Sequence, residues 1–437
     1  MAELYLNVRT QKSNQSLDGT PIKVPGDARA AAKFGDSINL TVEVPGTSMT
    51  ETRYVVDQAV RKIASATKLS SGRLSAEVDE VALPIGLDLF NRFNGKVTLS
   101  SPAYAESLEK VGKYESLYRS WVNQDPTERT SIAICDDVVA WGKDQPVDVE
   151  VLGEKEINQK GLRLLEAVGG ASDISPPRLV LAHYKGKGKT DAPLALVGKG
   201  VTFDSGGLNV KPYESFVSMM KNDMGGSALA YSLFKALVES HHPDPLLLVI
   251  PTCENAIGSR SMRPGALVKS FAGPTVRIDH TDAEGRLILA DGIAYADKKY
   301  NPSAMMCFAT LTTSALISYG PYATPVHFAD SAQKEKLERA SKEMGEDMHF
   351  FPKRIWHEMA NRDQEADIRN TARLNGHAAR GAGSRNAAHF LLAFTKKPLL
   401  HFDIFASTWN WAGDAPGCGY GATGAPLRTL LRYFNVS

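Results

Sequence analysis

The sequence predicts an α/β fold: a C-terminal domain with a central mixed sheet flanked by helices, and a smaller N-terminal α/β domain. Three observations carry this. At 437 residues the chain is too long for one ordinary core, so a large domain with a smaller companion is expected. In the C-terminal part, short apolar runs (Arg178 to Ala182, Pro193 to Val197, Leu246 to Ile250, Met305 to Thr310) alternate with helical stretches such as Ser227 to Val238. A hydrophobic fraction of 43% with 23% charged residues is that of a globular chain rather than a disordered or fibrous one.

Taken in order, Ile38, Leu40, Val42 and Val44 alternate as a strand does, and Val56, Ala59, Val60 and Ile63 fall on one helical face. Leu108, Val111, Leu117, Tyr118 and Trp121 mark a second helix that ends before Pro126. Between Trp141 and Gly153 the chain turns polar, with Gly142, Pro146, Asp144, Asp148 and Glu150, and the domain boundary is expected there: 1–145 as the N-terminal domain, 150–437 as the C-terminal one. Pro245 to Pro251 reads as a buried strand, too short to span a bilayer. The segment Gly376 to Ser384 reads as a surface or site-lining loop.

Charge and cysteine usage exclude more than they assign. A net charge of +1 offers no reason to expect nucleic acid or an anionic membrane as a partner. Cys135, Cys253, Cys307 and Cys418 are far apart without CxxC spacing, which suits buried thiols in a reducing, cytoplasmic setting. The opening MAELYLNVRTQ has neither an apolar signal core nor a transit-peptide composition.

The chemistry gathers in three segments. Pro193 to Val197 runs into Gly198-Lys-Gly-Val-Thr-Phe-Asp-Ser-Gly-Gly207, so a buried strand delivers Lys199 and Asp204 to its carboxyl end, where ligands of α/β sheets collect. Met219-Met-Lys-Asn-Asp-Met-Gly-Gly226 sets Asp223 ahead of another helix, with Lys211 in the loop between. His280-Thr-Asp-Ala-Glu-Gly-Arg-Leu-Ile-Leu-Ala-Asp-Gly292 adds Asp282, Glu284 and Arg286 before a helical pattern of Leu287, Ala290 and Ala294. Each acid also has a plainer reading, and Thr281 to Glu284 fits a capping box. Together, three aspartates, one glutamate and a lysine acting as free amine form a hard oxygen and nitrogen set for Zn²⁺, Mn²⁺ or Mg²⁺, with four carboxylates to balance two divalent ions. Competing motifs fail: His183 stands where a P-loop ending at Thr190 needs its first glycine, Asn361 replaces the second histidine of HExxH after His357-Glu358, and Phe203 to Gly207 lacks the first glycine of a GxSxG elbow.

In this order, VGKGVTFDSGG, MKNDMGG and TDAEGRLILADG resemble the leucyl aminopeptidase (cytosol aminopeptidase) family of dinuclear-metal peptidases. The resemblance runs from residue 150 to 437, including Ala167 to Gly170, Ser175 to Leu179, Gly421 to Gly424 and Arg428, and over 1–145 extends only to a variable α/β domain in the same place. It implies that Lys199, Asp204, Asp223 and Glu284 hold a tighter metal and that Asp204, Asp282 and Glu284 hold an exchangeable one. Lys211 and Arg286 match the family's catalytic lysine and arginine, the arginine holding a bicarbonate that shuttles protons. Met220, Thr310, Leu311, Thr313 and Phe405, with Thr408 nearby, match the lining of its first side-chain pocket. The resemblance further implies peptide substrates and a homohexamer, with an assembly or access role for the N-terminal domain.

His280, Thr313 and Phe405 depart from the family's usual asparagine, glycine and small residue. The added bulk sets up an expectation of small first residues over leucine. Two other classes remain. A two-metal phosphoesterase would use the carboxylates but has no role for a ligating lysine. A non-catalytic member, DNA-binding or structural, is disfavoured by the intact ligand positions and the near-neutral charge.

Overall fold

The computed structural model describes residues 2–10, 19–25, 28–34, 37–44, 48–66, 69–76, 79–92, 97–99, 102–188, 191–374, 377–378 and 381–436. The chain divides into two compact units, Met1–Ser116 with Glu335–Asp347 and Asn410–Ser437, and Leu117–Lys334 with Met348–Trp409.

In the first unit, β1 (Ala2–Thr10), β2 (Thr20–Ile22), β3 (Arg29–Phe34), β4 (Ser37–Val44), β5 (Leu69–Ala76) and β6 (Val97–Leu99) form a sheet in the order β2-β3-β4-β1-β5-β6. It is mixed: β1 runs parallel to β4 and β5, while β3 is antiparallel to β2 and β4. Ile38, Leu40 and Val42 are buried on alternate positions of β4, as a strand with one covered face requires. On α1 (Met49–Ala66), Val56, Ala59, Val60 and Ile63 are all buried, the i, i+3, i+4, i+7 stripe of an amphipathic helix. Then come α2 (Asp79–Arg92) and α3 (Pro102–Asn123), the latter ending before Pro126 as its pattern predicts.

The remaining elements run α4 (Ser131–Gly142), β7 (Val147–Leu152), α5 (Glu154–Lys160), α6 (Arg163–Gly169), β8 (Arg178–Tyr184), β9 (Leu194–Gly198), β10 (Gly200–Asp204), α7 (Gly225–Glu239), β11 (Leu246–Asn255), β12 (Leu267–Lys269), β13 (Thr275–Arg277), α8 (Gly285–Tyr300), β14 (Ala304–Ala309), α9 (Thr313–Tyr319), β15 (Ala323–His327), α10 (Ser331–Met344), β16 (Asp347–Phe351), α11 (Ile355–Ala360), β17 (Ile368–Arg369), β18 (Arg373–Leu374), β19 (His377–Ala378), α12 (Gly383–Leu391), β20 (Leu399–Asp403) and α13 (Leu427–Tyr433). Of the predicted loop Gly376 to Ser384, Gly376, Ala379 and Arg380 lie outside the described residues, and Gly383 and Ser384 open α12.

The large sheet has the order β16-β15-β20-β14-β9-β11-β8-β7, with β10 added to β11. Its centre, β20-β14-β9-β11, is parallel, and β15 and β8 join antiparallel. Leu246 to Ile250 is buried throughout, the continuous apolar run of a strand covered on both faces. Helices α4, α6, α7 and α8 pack on this sheet. The approach of α7 depends on missing side chains: a Cβ on Gly226 would stand 2.2 Å from the Phe308 carbonyl oxygen, and one on Gly198 2.6 Å from the Gly226 carbonyl oxygen. No helix among the described residues is long and apolar enough to cross a membrane, and all four cysteines are free and buried.

Two histidines sit deep in this core. His401 on β20 is fully buried with neither ring nitrogen hydrogen-bonded, and its ring centroid lies 5.8 Å from that of His327 on β15. Burial, with Arg286 adding repulsion, pushes His401 down to about 3, and burial with the neighbouring histidines holds His327 well below the ordinary imidazole range. An unfolded histidine protonates near ~6.5, so the unfolded chain binds the extra protons and stability is lost as pH falls, from there down through the folded values. The expected cost is about 1.4 kcal/mol per pH unit for each imidazole kept neutral. In His401→Leu the loss of unfolding free energy between pH 7 and pH 5 should therefore be smaller than in the parent by about 2 kcal/mol in urea titrations. An equal loss in both would show that His401 is not held neutral.

Candidate metal centre

The carboxyl ends of the parallel strands supply one wall of the site. Lys199 directly follows β9, Asp204 closes β10, Asn255 closes β11, Thr310 follows β14 and Phe405 follows β20. Two helix beginnings supply the other: Asp223 stands in a 3-10 turn (Val217–Met224) that runs into α7, and Glu284 immediately precedes α8. After Asp204 the chain reverses through Gly206 and Gly207, both with positive φ, and the Gly206 N–H donates to Asp204 Oδ1 at 2.9 Å. A Cβ on Gly285 would lie 2.4 Å from Lys199 Cε, so only glycine lets Glu284 and the lysine meet.

The lysines and the carboxylates pair in two clusters. Lys199 Nζ lies 2.7 Å from Asp223 and 2.9 Å from Glu284 Oε1, and donates to the Thr310 carbonyl at 2.7 Å. Lys211 Nζ lies 2.8 Å from Asp204 Oδ2 and 2.5 Å from Asp282 Oδ1. Lys199, Asp204, Asp223 and Glu284 are buried, whereas the Asp282 side chain keeps 27% of its exposure. Burial raises Asp223, reinforced by Glu284 and Asp204 and opposed by Lys199. Burial and Asp204 push Asp282 up to about 7, against Lys211. Burial pushes Asp204 up as well, but Lys211 and Lys199 outweigh it and the pKa is lowered.

Both lysines are raised: burial opposes each ammonium, and for Lys199 the carboxylates of Asp223, Glu284 and Asp204 prevail. Among the protein's own groups Lys199 is held as an ammonium, because it sits between carboxylates. Its service as a ligand would be coupled to release of that proton.

Does this donor set fit a metal? One carboxylate oxygen from each of Asp204, Asp282 and Glu284 lies within 4.8 Å of the others, two of the three residues being buried. Two ammonium groups stand among four carboxylates, an excess of negative charge that divalent cations would neutralise. The set fits.

The capping box does not form. Thr281 Oγ1 donates to the Gly206 carbonyl at 2.6 Å and accepts from Asn209 N at 2.8 Å, and α8 begins only at Gly285 with no side-chain cap. Thr281 ties the Asp282 turn to the Asp204 loop, and that contact outcompetes the local cap.

All the predicted site residues meet in one cavity of about 230 Å³: Lys199, Asp204, Lys211, Met220, Asp223, Asp282, Glu284, Arg286, Thr310, Leu311, Thr313 and Phe405 line it, together with His280, Thr312, Ser314, Thr371 and Gly383. Phe405 stands in the wall with 6% of its surface exposed. Thr408 lies outside this lining, its hydroxyl 2.9 Å from that of Tyr118. Arg286 is buried with its Nε unpaired, and burial lowers it to about 10 against the pull of Glu284 and Asp403, so it remains a cation at neutral pH.

Sequence reasoning missed the groups behind this shell. Asn255 Nδ2 donates to Asp204 Oδ1 at 2.8 Å and to the Thr281 carbonyl at 3.1 Å. Asp403 accepts from Thr312 Oγ1 at 2.6 Å and from the Leu311 N–H at 3.2 Å, holding the loop from Thr310 to Thr312, all three of which line the cavity. No local pattern marks either residue.

The profile described as "Cytosol aminopeptidase family, catalytic domain" matches residues 116–431. A probable cytosol aminopeptidase of Acidovorax ebreus (strain TPSY) is 34% identical over 412 residues, 94% of this chain and 76% of the relative. Among solved structures, the bottromycin maturation enzyme BotP in complex with Mn superposes with a TM-score of 0.83 at 25% identity, covering 99% of both chains. The cytosol aminopeptidase of Coxiella burnetii gives 0.78 at 28% identity over 93% of this chain and 88% of that one. With the motifs, the site at the carboxyl ends of the strands and a match over 94% of the chain in agreement, the chain belongs to the cytosol aminopeptidase family.

Proposed function

We propose that this chain is a metal-dependent aminopeptidase that removes the first residue of peptides, with two divalent cations per subunit. The observation that carries the reading is the convergence of Asp204, Asp282 and Glu284 on one point beside two lysines. Lys199, Asp204, Asp223 and Glu284 would hold one cation, and Asp204, Asp282 and Glu284 the other. When bound, such a pair supplies an activated water at neutral pH, Lewis acidity at the scissile carbonyl and an anchor for the free α-amine. Zn²⁺, Mn²⁺ and Mg²⁺ all suit the donors, and the Mn of the BotP structure favours Mn²⁺.

The chain's own groups do the rest. Lys211, an ammonium at the cavity wall with 12% of its side chain exposed, donates to the oxygen on which negative charge develops. With every carboxylate of the cluster engaged, none is free as a general base. Arg286, a buried cation with an unpaired Nε–H, suits a bicarbonate that would carry the proton from water to the leaving amine. A phosphoesterase leaves Lys199 without a role, and a non-catalytic member leaves the complete cluster without one.

Assembly as a homohexamer, a cytoplasmic setting, peptides rather than nucleic acid as partners, and a division of labour between a 1–145 assembly or access domain and a 150–437 catalytic domain complete the proposal. The relatives' description as cytosol aminopeptidases and the placing of every cavity-lining residue between Lys199 and Phe405 support it.

Asp204→Ala and Glu284→Ala should each lower kcat/KM at least about a thousandfold, roughly 4 kcal/mol of barrier, with metal content falling and the far-ultraviolet spectrum intact. Two bound Mn²⁺ and near-parent rates in either variant would exclude the assignment. Lys211→Ala should reduce kcat and kcat/KM together by about a hundredfold or more at unchanged metal content, whereas a rise in KM alone would assign it to substrate binding. Because Phe405 and Thr313 fill the cavity wall, alanyl amides should be preferred over leucyl amides, and Phe405→Ala should move the leucyl-to-alanyl ratio of kcat/KM upward by about tenfold. A leucine preference that the substitution leaves untouched would refute the constricted pocket.

A further inference from the structure

Of the acids in the centre, Asp282 is the least secured by its own element. Glu284 is 2% exposed at the start of a buried helix, and Asp204 closes a strand, but Asp282 sits in an irregular turn with its side chain 27% exposed. Asn209, Asn255 and the Gly206 carbonyl hold Thr281 within that turn, and one further carboxamide spans it from residue 279 to 283. Asn370, fully buried, accepts from the Asp279 N–H at 2.8 Å and the His280 N–H at 3.3 Å through Oδ1. Through Nδ2 it donates to the carbonyls of His280 at 2.7 Å and Ala283 at 3.3 Å.

The small three-stranded sheet puts Asn370 there. Strand β17 runs parallel to β13, Val276 beside Ile368 and Arg277 beside Arg369, and the Asn370 N–H makes the next bond, to the Arg277 carbonyl at 3.1 Å. Where the backbone ladder stops, the Asn370 side chain continues it along residues 279 to 283. Asn370 has no hydrogen bond to any of the acids, so its influence on the centre runs through the position of the turn.

We propose that Asn370 is a positioning residue that sets where the Asp282 carboxylate stands, and thereby the occupancy of the one metal position that uses Asp282. This rests on the reading above that Asp282 serves only one of two cations. Groups bonded directly to a metal ligand typically govern affinity by about ten- to a hundredfold, and Asn370, which acts through the ligand's backbone, is expected at the lower end of that range. Asn255 provides a contrast, since it bonds Asp204 directly and should weaken both positions.

The test is calorimetric titration of the metal-stripped full-length chain with Mn²⁺, for the parent, Asn370→Ala, Asn370→Asp and Asp282→Ala. Asn370→Ala should weaken the lower-affinity event at least tenfold, leave the higher-affinity one within about twofold, and regain turnover when Mn²⁺ is raised. Asn370→Asp keeps the acceptor oxygen but loses both donated bonds, so it should show the same selective weakening even if Asn370→Ala does not fold. Parent-like affinities at both events, or equal weakening of both with turnover unrecovered by excess Mn²⁺, would overturn the proposal. If Asp282→Ala itself retains both events, the two-cation reading of Asp282 is what fails, whatever Asn370 does.

Discussion

Four carboxylates and two ammonium groups share one buried cavity, and the structure around it is organised by that charge balance. Like charges taken out of water persist only where each is paired or bonded. Lys199 answers Asp223 and Glu284; Lys211 answers Asp204 and Asp282. The glycines follow from the same requirement. Gly285 clears the path of the Lys199 stem, and Gly226 and Gly198 let α7 approach the strands so that Asp223 reaches the lysine.

Two frames of unequal size hold these groups. The parallel strands of the large sheet aim Lys199 and Asp204 from their carboxyl ends, and buried helices bring Asp223 and Glu284. Asp282 belongs to neither. It rides on a turn stitched by Asn209, Asn255 and Asn370, whose amides satisfy backbone groups that no ladder reaches. A centre built this way has one side anchored in the core and one on a fastened loop. That suits a tight and an exchangeable cation in the same cavity.

The cavity wall has its own anchor. Asp403, buried at the end of β20, gathers the Leu311 and Thr312 N–H groups and the Thr312 hydroxyl, so this part of the cavity wall is held by a carboxylate outside the Asp204, Asp282 and Glu284 cluster. Phe405 follows two residues later. This cavity-lining side chain therefore follows the same strand end that holds the Leu311 and Thr312 loop.

Much of this was legible in the sequence, for physical reasons. Alternation and helical stripes record which face is buried, so β4, α1, α3 and the central strands could be read directly, and Lys199, Asp204, Asp223, Asp282 and Glu284 stood out because acids and a lysine beside glycines at strand and helix ends are placed for ligands. The Thr281 cap misled because a capping box is a local signal, and a tertiary bond to the Gly206 carbonyl displaced it. The charge on Lys199 and the neutrality of His401 depend on neighbours from distant segments, which no spacing records. Asn255, Asn370 and Asp403 escaped for the same reason: a side chain that serves another segment's backbone leaves no period or motif in its own. The sequence by itself determined the main elements and the residues that gather at the site, because burial and side-chain chemistry are written residue by residue. Only the tertiary structure decided how those residues are charged, oriented and held, because those properties belong to pairs of residues that meet through the fold.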